Sequence, residues 1–188
     1  MKKFIITALS ALIVLSIAIP VQAQFGLGIS YEERAETPKQ GFGLQLEHEL
    51  LPFSVITSLR ARVHFSYFSD TATLSVPVSS QPTIELGTIQ NYDYGGAIIG
   101  GLNLGLLSPY IGLGISIDNW KFEPKNYSES FDEQTIQYYG LFGASLSVLP
   151  VIHPFIEYRV SEYGSIKEIR EQMDEGRGRF IIGVSFRF

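Results

Sequence analysis

Residues 179–188 read "RFIIGVSFRF", and this stretch decides the fold. Side chains that alternate with a period of two lie on opposite faces of a β-strand. The segment therefore predicts a strand with one apolar face, and the rest of the sequence must show what that face contacts. Its large apolar side chains are Phe180, Ile182, Val184, Phe186 and Phe188.

The composition favours a single β-rich domain. Of the 188 residues, 45% are hydrophobic, 13% aromatic and only 18% charged, which excludes a disordered chain. Tyrosine (10), phenylalanine (13) and glycine (18) are abundant, as is typical of β-structure with close backbone contacts. Without cysteine, the chain has no disulfide, thiolate metal site or cysteine nucleophile.

The first 23 residues have the features of a cleaved export signal. Two lysines precede an apolar run over 4–19, then Pro20 breaks the run and Ala23 marks a cleavage site. A run of this length is shorter than the roughly 20 residues of a spanning helix, so removal of 1–23 is favoured over a membrane anchor. Removal lowers the 14 basic residues to 12 against 19 acidic ones, a formal charge of −7. This acidic balance argues against nucleic acid as a partner.

Residues 24–188 divide into eight alternating segments joined by two kinds of connection. Tight, apolar, proline-bearing connections alternate with longer polar ones, as expected of an up-and-down meander whose successive turns lie at opposite ends. The tight connections are at 51–54, 106–109 and 149–154, and the longer ones at 33–40, 69–90, 123–134 and 164–178. The predicted strands are 24–33, 40–50, 55–68, 91–106, 109–122, 135–148, 153–163 and 178–188.

The two faces of these segments distinguish water from lipid as the surrounding solvent. The face opposite the large apolar side chains carries mostly small residues, such as Gly95, Ala97 and Gly101 in the fourth segment. Eight strands leave an interior with room only for side chains, so the small face suits the inside. Lipid outside requires a closed sheet, which the last strand would complete against the strand starting at Phe25. The predicted fold is all-β, an eight-stranded antiparallel up-and-down transmembrane β-barrel.

Aromatic residues near the longer connections predict a belt at the membrane interface, although aromatic residues also favour strands in general. The members of this predicted belt are Tyr31, Phe65, Tyr67, Tyr92, Tyr94, Trp120 and Tyr138.

In these features, residues 24–188 resemble the small bacterial outer-membrane β-barrels of the OmpA/OmpX type. The ending at Phe188 resembles the C-terminal signal that the barrel-assembly machinery recognises in such proteins. The resemblance implies a monomer without cofactors in the outer membrane of a Gram-negative bacterium, in contact with outer-membrane lipids and lipopolysaccharide. It also implies periplasmic chaperones during biogenesis, short turns and termini in the periplasm, and long connections at the cell surface.

Six charged residues are predicted to face the lumen: Glu47, Glu49, Arg60, Arg62, Glu157 and Arg159. A turn over 51–54 would place Glu47 opposite Ser58 and diagonal to Arg60. Charges kept from water must be paired, so we predict an ion-pair network that plugs the lumen. A narrow gated pore or proton path is the alternative, and so tight a lumen disfavours a porin.

No catalytic or metal site is predicted. The three histidines, His48, His64 and His153, lack the spacing of a metal site. The acidic stretch 123–134 would either gather a divalent cation or simply be solvated. The predicted function is therefore non-enzymatic, through membrane integrity or surface-loop interactions. Two alternatives are a lipid A-modifying outer-membrane enzyme and a soluble lipocalin-like barrel with an apolar ligand.

Overall fold

The computed structural model describes residues 25–35, 37–51, 57–74, 84–125, 131–147, 149–162 and 178–188. They form a closed barrel in which each strand pairs antiparallel with the next and the last pairs with the first. The strands are β1 (Phe25–Arg34), β2 (Gln40–Leu51), β3 (Thr57–Leu74), β4 (Ile84–Leu102), β5 (Leu107–Pro124), β6 (Phe131–Leu146), β7 (Ile152–Glu162) and β8 (Gly178–Arg187). The predicted export signal, the turn at 52–54 and the loop at 164–177 lie outside the described residues.

The predicted fold class is confirmed: the protein is an all-β, eight-stranded antiparallel up-and-down barrel. The closing pair joins β1 to β8 from Gly26↔Arg187 to Arg34↔Arg179, as the ending had suggested. Backbone bonds between Phe25 and Phe188 complete this edge, with Phe188 N donating to Phe25 O at 2.8 Å. No helix among the described residues is long and apolar enough to cross a membrane.

The outer surface of the barrel is apolar and the interior is polar. Leu113 is 75% exposed and Phe42 69%, and large apolar side chains cover the outside of all eight strands. Buried side chains are instead rich in charged and hydroxyl groups, the reverse of a water-soluble barrel. The soluble lipocalin-like alternative needs a polar outer face, which this arrangement does not provide.

The strands in the middle of the chain are longer than predicted. β3 runs to Leu74 and β4 begins at Ile84, so most of the predicted loop at 69–90 is a hairpin. Likewise, β5 ends at Pro124 and β6 begins at Phe131, which shortens the predicted loop at 123–134. At the start of β6 the successive residues Asp132, Glu133 and Gln134 are all exposed, so both faces meet water there and the alternation that marks a half-buried strand disappears.

Two connections also differ from prediction. The connection between β4 and β5 lies at 103–106, not 106–109, and Gly105 adopts a φ of +82° that favours glycine. Pro109 is therefore inside β5, near its start, where a missing backbone donor is tolerated. The connection between β1 and β2, at 35–39, has the same number of residues as the one at 52–56. The predicted alternation of long and short connections is therefore wrong at this position.

Large side chains share the interior with the small ones, which the sequence did not indicate. Tyr110 and Tyr139 are 6% and 3% exposed and pack with Ile99 and Leu141. Glycines provide the room: a Cβ on Gly114 would overlap the Tyr139 ring, and one on Gly143 would lie 2.7 Å from the Tyr110 hydroxyl oxygen. The inward glycines are thus sockets for aromatic rings of the neighbouring strand.

Most of the predicted aromatic belt lies on the outside. The Tyr67 and Tyr92 rings are 5.3 Å apart, and Tyr31 packs edge-on to Phe42 at 5.9 Å. Trp120 was wrongly assigned to the belt. Its indole Nε1 donates to the inward-facing Asp118 at 2.9 Å, so it belongs to the interior.

The glycine sockets predict a sharp difference between two Gly→Ala variants. Gly114→Ala should lower the free energy of unfolding by about 1–3 kcal/mol, because the Tyr139 ring and the Gly96 carbonyl must move. Gly100→Ala should change it by less than about 0.5 kcal/mol, since a Cβ there meets nothing within 4 Å. Urea unfolding of the protein in detergent micelles measures both, and equal effects would contradict the socket.

Candidate functional site

The inner ion cluster, as we call Glu47, Arg60, Arg62, Glu157 and Arg159, occupies the lumen; its members are at most 6% exposed. Glu47 accepts from Arg60 Nη1 at 2.6 Å and from Arg62 Nε at 2.9 Å. Arg62 reaches across the barrel to Glu157 at 2.5 Å, and Glu157 also accepts from Arg159 Nη2 at 3.3 Å. The structure thus brings five of the six predicted lumen charges into one hydrogen-bonded group.

The register predicted for this cluster was wrong. Glu47 lies opposite Arg62, and Glu49 lies opposite Arg60, whereas the sequence placed Glu47 opposite Ser58. The last pair of β2 with β3 is Leu51↔Leu59, so the connection between them is wider than the assumed turn over 51–54 and the predicted partner of Glu47 was four residues away from the observed one. Glu49 itself is half-buried and lines the mouth of the barrel.

Tyr110 closes the inner ion cluster from the side of β5. Its hydroxyl donates to Glu157 Oε2 at 3.1 Å. The Arg60 and Arg62 guanidinium carbons lie 5.3 and 5.7 Å from the ring centroid, within the range of cation–π attraction. The Tyr110 ring therefore supplies both an extra donor and a favourable surface for two buried cations.

The outer ion cluster is nearer the ends of the long strands and consists of Glu32, His64, Asp93 and Arg179. Arg179 donates to Glu32 at 3.0 Å and to Asp93 at 2.7 Å, while His64 Nε2 lies 2.7 Å from Asp93. Ser66 adds a hydrogen bond to Glu32 at 2.9 Å. This cluster was not predicted from the sequence, although its members alternate with the outward-facing apolar residues of their strands.

Side chains of the two clusters meet at Tyr139. The Arg159 guanidinium lies 4.6 Å from the Tyr139 ring centroid, and the tyrosine hydroxyl is 3.3 Å from His64 Nδ1. Further out, Asp118 accepts from Trp120 at 2.9 Å and from Gln137 at 2.6 Å. Polar contacts therefore follow the lumen along most of its length, and paired side chains fill its centre.

The mouth at the end of the barrel where Phe25 and Phe188 lie is less completely filled. A cavity of about 370 Å³ lies there, lined by charged residues of β2, β3 and β8 and by polar residues of β5 and β7. His153 is on its wall and contacts Ser147, whose Oγ lies 3.3 Å from His153 Nδ1. His48 is instead stacked on Phe25 at 4.5 Å. No group of three or more metal-ligating side chains occurs among the described residues.

A closed eight-stranded antiparallel barrel with a lipid-compatible exterior and a side-chain-filled polar interior defines the class of small transmembrane β-barrels. Solved structures similar to this chain include outer-membrane barrels of the same size. Neisserial surface protein A is similar with a TM-score of 0.56 at 15% identity, covering 87% of this chain and 96% of that one. The N-terminal barrel domain of Pseudomonas aeruginosa OprF gives 0.57 at 13% identity, over 89% and 98%.

A major outer-membrane protein of Thermus thermophilus gives a TM-score of 0.59 at 10% identity, covering 87% of this chain and 98% of that one. At these identities the likeness is one of fold. No protein-family model matches the sequence, and no curated protein sequence does either.

The inner ion cluster predicts a large loss of stability when its central carboxylate is removed. Glu47→Ala leaves Arg60 and Arg62 buried without their shared partner, so the free energy of unfolding should fall by about 3–5 kcal/mol. Urea unfolding in detergent micelles measures the loss.

The exposed Lys121–Glu123 pair is the control for that variant. Its N···O distance is also 2.6 Å, and the hydrogen bond from Lys121 to the Glu123 carboxylate raises the pKa of Lys121. Because both side chains meet water, Glu123→Ala should change stability little. Similar losses of unfolding free energy in the two variants would contradict the claim that burial makes the loss of a carboxylate costly.

Proposed function

We propose that the protein is an integral, non-enzymatic barrel of a bacterial outer membrane that acts through the end bearing its extended strands. The observation that carries the proposal is the contrast between the centre and that end. The centre is filled by paired side chains, whereas four strands continue past the apolar band as a polar sheet. A filled centre favours a role at the surface over transport.

Location in the outer membrane is supported by the fold and by its exterior. The outer face of β5 shows the height of the lipid band: Ile111, Leu113 and Ile115 are exposed, and Asn119 and Lys121 follow at outward positions further along. Outer-membrane lipids would contact the apolar band, and lipopolysaccharide the polar positions above it. We propose a monomer, inserted by the barrel-assembly machinery after escort by periplasmic chaperones.

The extended sheet offers a surface for interactions. β2 pairs with β3 only as far as Phe68, so no described strand covers that edge of β3 over residues 69–74. An open edge presents unpaired backbone groups, to which an extended segment of a partner can add. With Asp70 on this edge and Asp132 on β6, the sheet is polar and partly acidic. Surface contact with another macromolecule is therefore the role we favour.

The lipid A-modifying alternative finds no support in the lumen. His64 and Asp93 form a hydrogen-bonded pair of the type used in general acid–base catalysis, but they are 7% and 1% exposed. Asp93 is also held by Arg179. A lipid substrate in the outer leaflet would have to enter the barrel to reach them.

Shortening the extended hairpin tests the proposed role. Replacing residues 70–89 by a two-residue turn, which joins the paired residues Ser69 and Gln90, should leave membrane insertion intact because the barrel below this pair is unchanged. It should abolish any cell-surface binding conferred by the full-length protein. Lipid A from cells with either form, or with neither, should have the same masses. Altered lipid A masses would refute the non-enzymatic proposal, and binding that survives the deletion would refute the role of the hairpin.

The apolar C-terminal residues provide a separate prediction about assembly. Phe180, Ile182, Val184, Phe186 and Phe188 occupy the outward positions of β8 and the residue after it. We propose that they form the assembly signal. Phe188→Ala should reduce the amount of folded protein in the outer membrane while export continues, as measured by heat-modifiable gel mobility of membrane fractions. Phe142→Ala, which removes a lipid-facing ring within the barrel, should reduce it less.

A further inference from the structure

We propose that the mouth cavity binds a small organic anion carrying a carboxylate or phosphate group. The cavity has a volume of about 370 Å³ and opens where the chain termini lie, opposite the extended sheet. This volume is within the range of small-molecule sites, about 300–1,000 Å³. Its walls include Glu47, Glu49, Arg60, Ser108, His153 and Arg187. The site is separate from the surface role proposed above.

The charged side chains that line the cavity balance one another, Arg60 and Arg187 against Glu47 and Glu49. Their hydrogen bonding is not balanced, because Glu47 accepts from Arg60 and Arg62, whereas Arg187 lies 3.9 Å from it. A ligand with acceptor oxygens would supply the hydrogen-bond partner that Arg187 Nε lacks within the described part of the chain, whereas a cation would not.

The hydrogen-bonding groups of the wall favour an acceptor ligand. Both Glu47 oxygens are already engaged, one by Arg60 and the other by Arg62. Arg187 lies 3.9 Å from Glu47, too far for a hydrogen bond, and its Nε has no hydrogen-bond partner among the described residues. Arg60 Nε likewise has none among them. The two atoms named here that lack a hydrogen-bond partner are therefore donors.

Arg187 is the residue that the geometry assigns to the ligand. Its side chain is 20% exposed, against 1% for Arg62, so it can turn its guanidinium toward the cavity. A guanidinium offers two parallel donors that match the oxygens of a carboxylate or phosphate. Hydroxyl groups on the opposite wall, at Ser108 and Ser147, can bond the rest of a small polar molecule. Chloride, a single point charge, cannot use this paired geometry.

The test uses the folded full barrel in detergent micelles, isotope-labelled for NMR. Inorganic phosphate and citrate are titrated separately at constant ionic strength, with chloride as the replaced anion. The Nε–H signals of Arg187 and Arg60 should shift and saturate with at least one of the two anions, while that of Arg179 stays in place. Comparing phosphate with citrate identifies which acceptor group the site prefers.

Two variants decide whether the cavity is responsible. Arg187→Gln should weaken anion binding by about tenfold or more, through loss of a charge-assisted hydrogen bond, with heat-modifiable mobility showing that the barrel still folds. Lys121→Gln makes the same charge change at the other end of the barrel and should leave binding unchanged. Equal weakening in both variants, full binding by Arg187→Gln, or no saturable shift with either anion in the millimolar range would each overturn the proposal.

Discussion

The structure depends on the fact that lipid cannot hydrogen-bond to a backbone. Every N–H and C=O group within the apolar band must therefore find a partner in a neighbouring strand, and a sheet in lipid can have no open edge. β8 meets this requirement by pairing with β1 over nine residues, from Gly26↔Arg187 to Arg34↔Arg179. Closure with eight strands then sets the interior diameter. The composition of the lumen follows from that width.

A lumen of this width has room for side chains and little else. Most large apolar side chains face the lipid and therefore do not fill it. The interior is left to polar groups, which are tolerated only when they bond one another. The two ion clusters meet this condition for their carboxylates, which accept from arginines of several strands. Arg62 bridges β2 and β7, and Arg179 bridges β1 and β4. These bonds tie together strands that are not neighbours in the sheet, so they add connections across the barrel that backbone pairing cannot make.

The sequence was sufficient to predict the fold within the apolar band, where one face of each strand meets lipid and the other meets the interior. It predicted the number of strands, their faces, the closing pair and the inward charges from Glu47 to Arg159. It failed where this band ends. At the start of β6, Asp132, Glu133 and Gln134 are all exposed, so these residues show no contrast between faces. For the same reason Trp120, near the end of the band, was taken as a lipid contact although it faces Asp118.

Other features could not be predicted because they depend on how strands are offset. β2 and β3 pair at Leu51↔Leu59 and not across a turn at 51–54, which places Glu47 opposite Arg62, and an offset of this kind is invisible in a single sequence. The contacts of Arg179 with Glu32 and Asp93 join residues far apart in the chain, separated by 147 and 86 positions. The alternation of side chains along a strand shows only which face such residues share. It gave no information about height along the barrel, which decides which of them meet.

The distribution of charge along the lumen is the reason why we propose that the protein acts at its two ends. Opening a path through the centre would separate Glu47 from Arg62 and Arg62 from Glu157, and breaking one buried pair costs about 3–5 kcal/mol. The aromatic rings of Tyr110 and Tyr139, seated over glycines, would also have to leave their sockets. Any path through the centre would therefore have to overcome both costs. At the mouth, by contrast, Arg187 has no hydrogen bond to its nearest carboxylate, and beyond the band β3 has an uncovered edge among the described strands. Arg187 at one end and the edge of β3 at the other are therefore the places where a partner could bond without opening the centre, and they lie on opposite sides of the membrane.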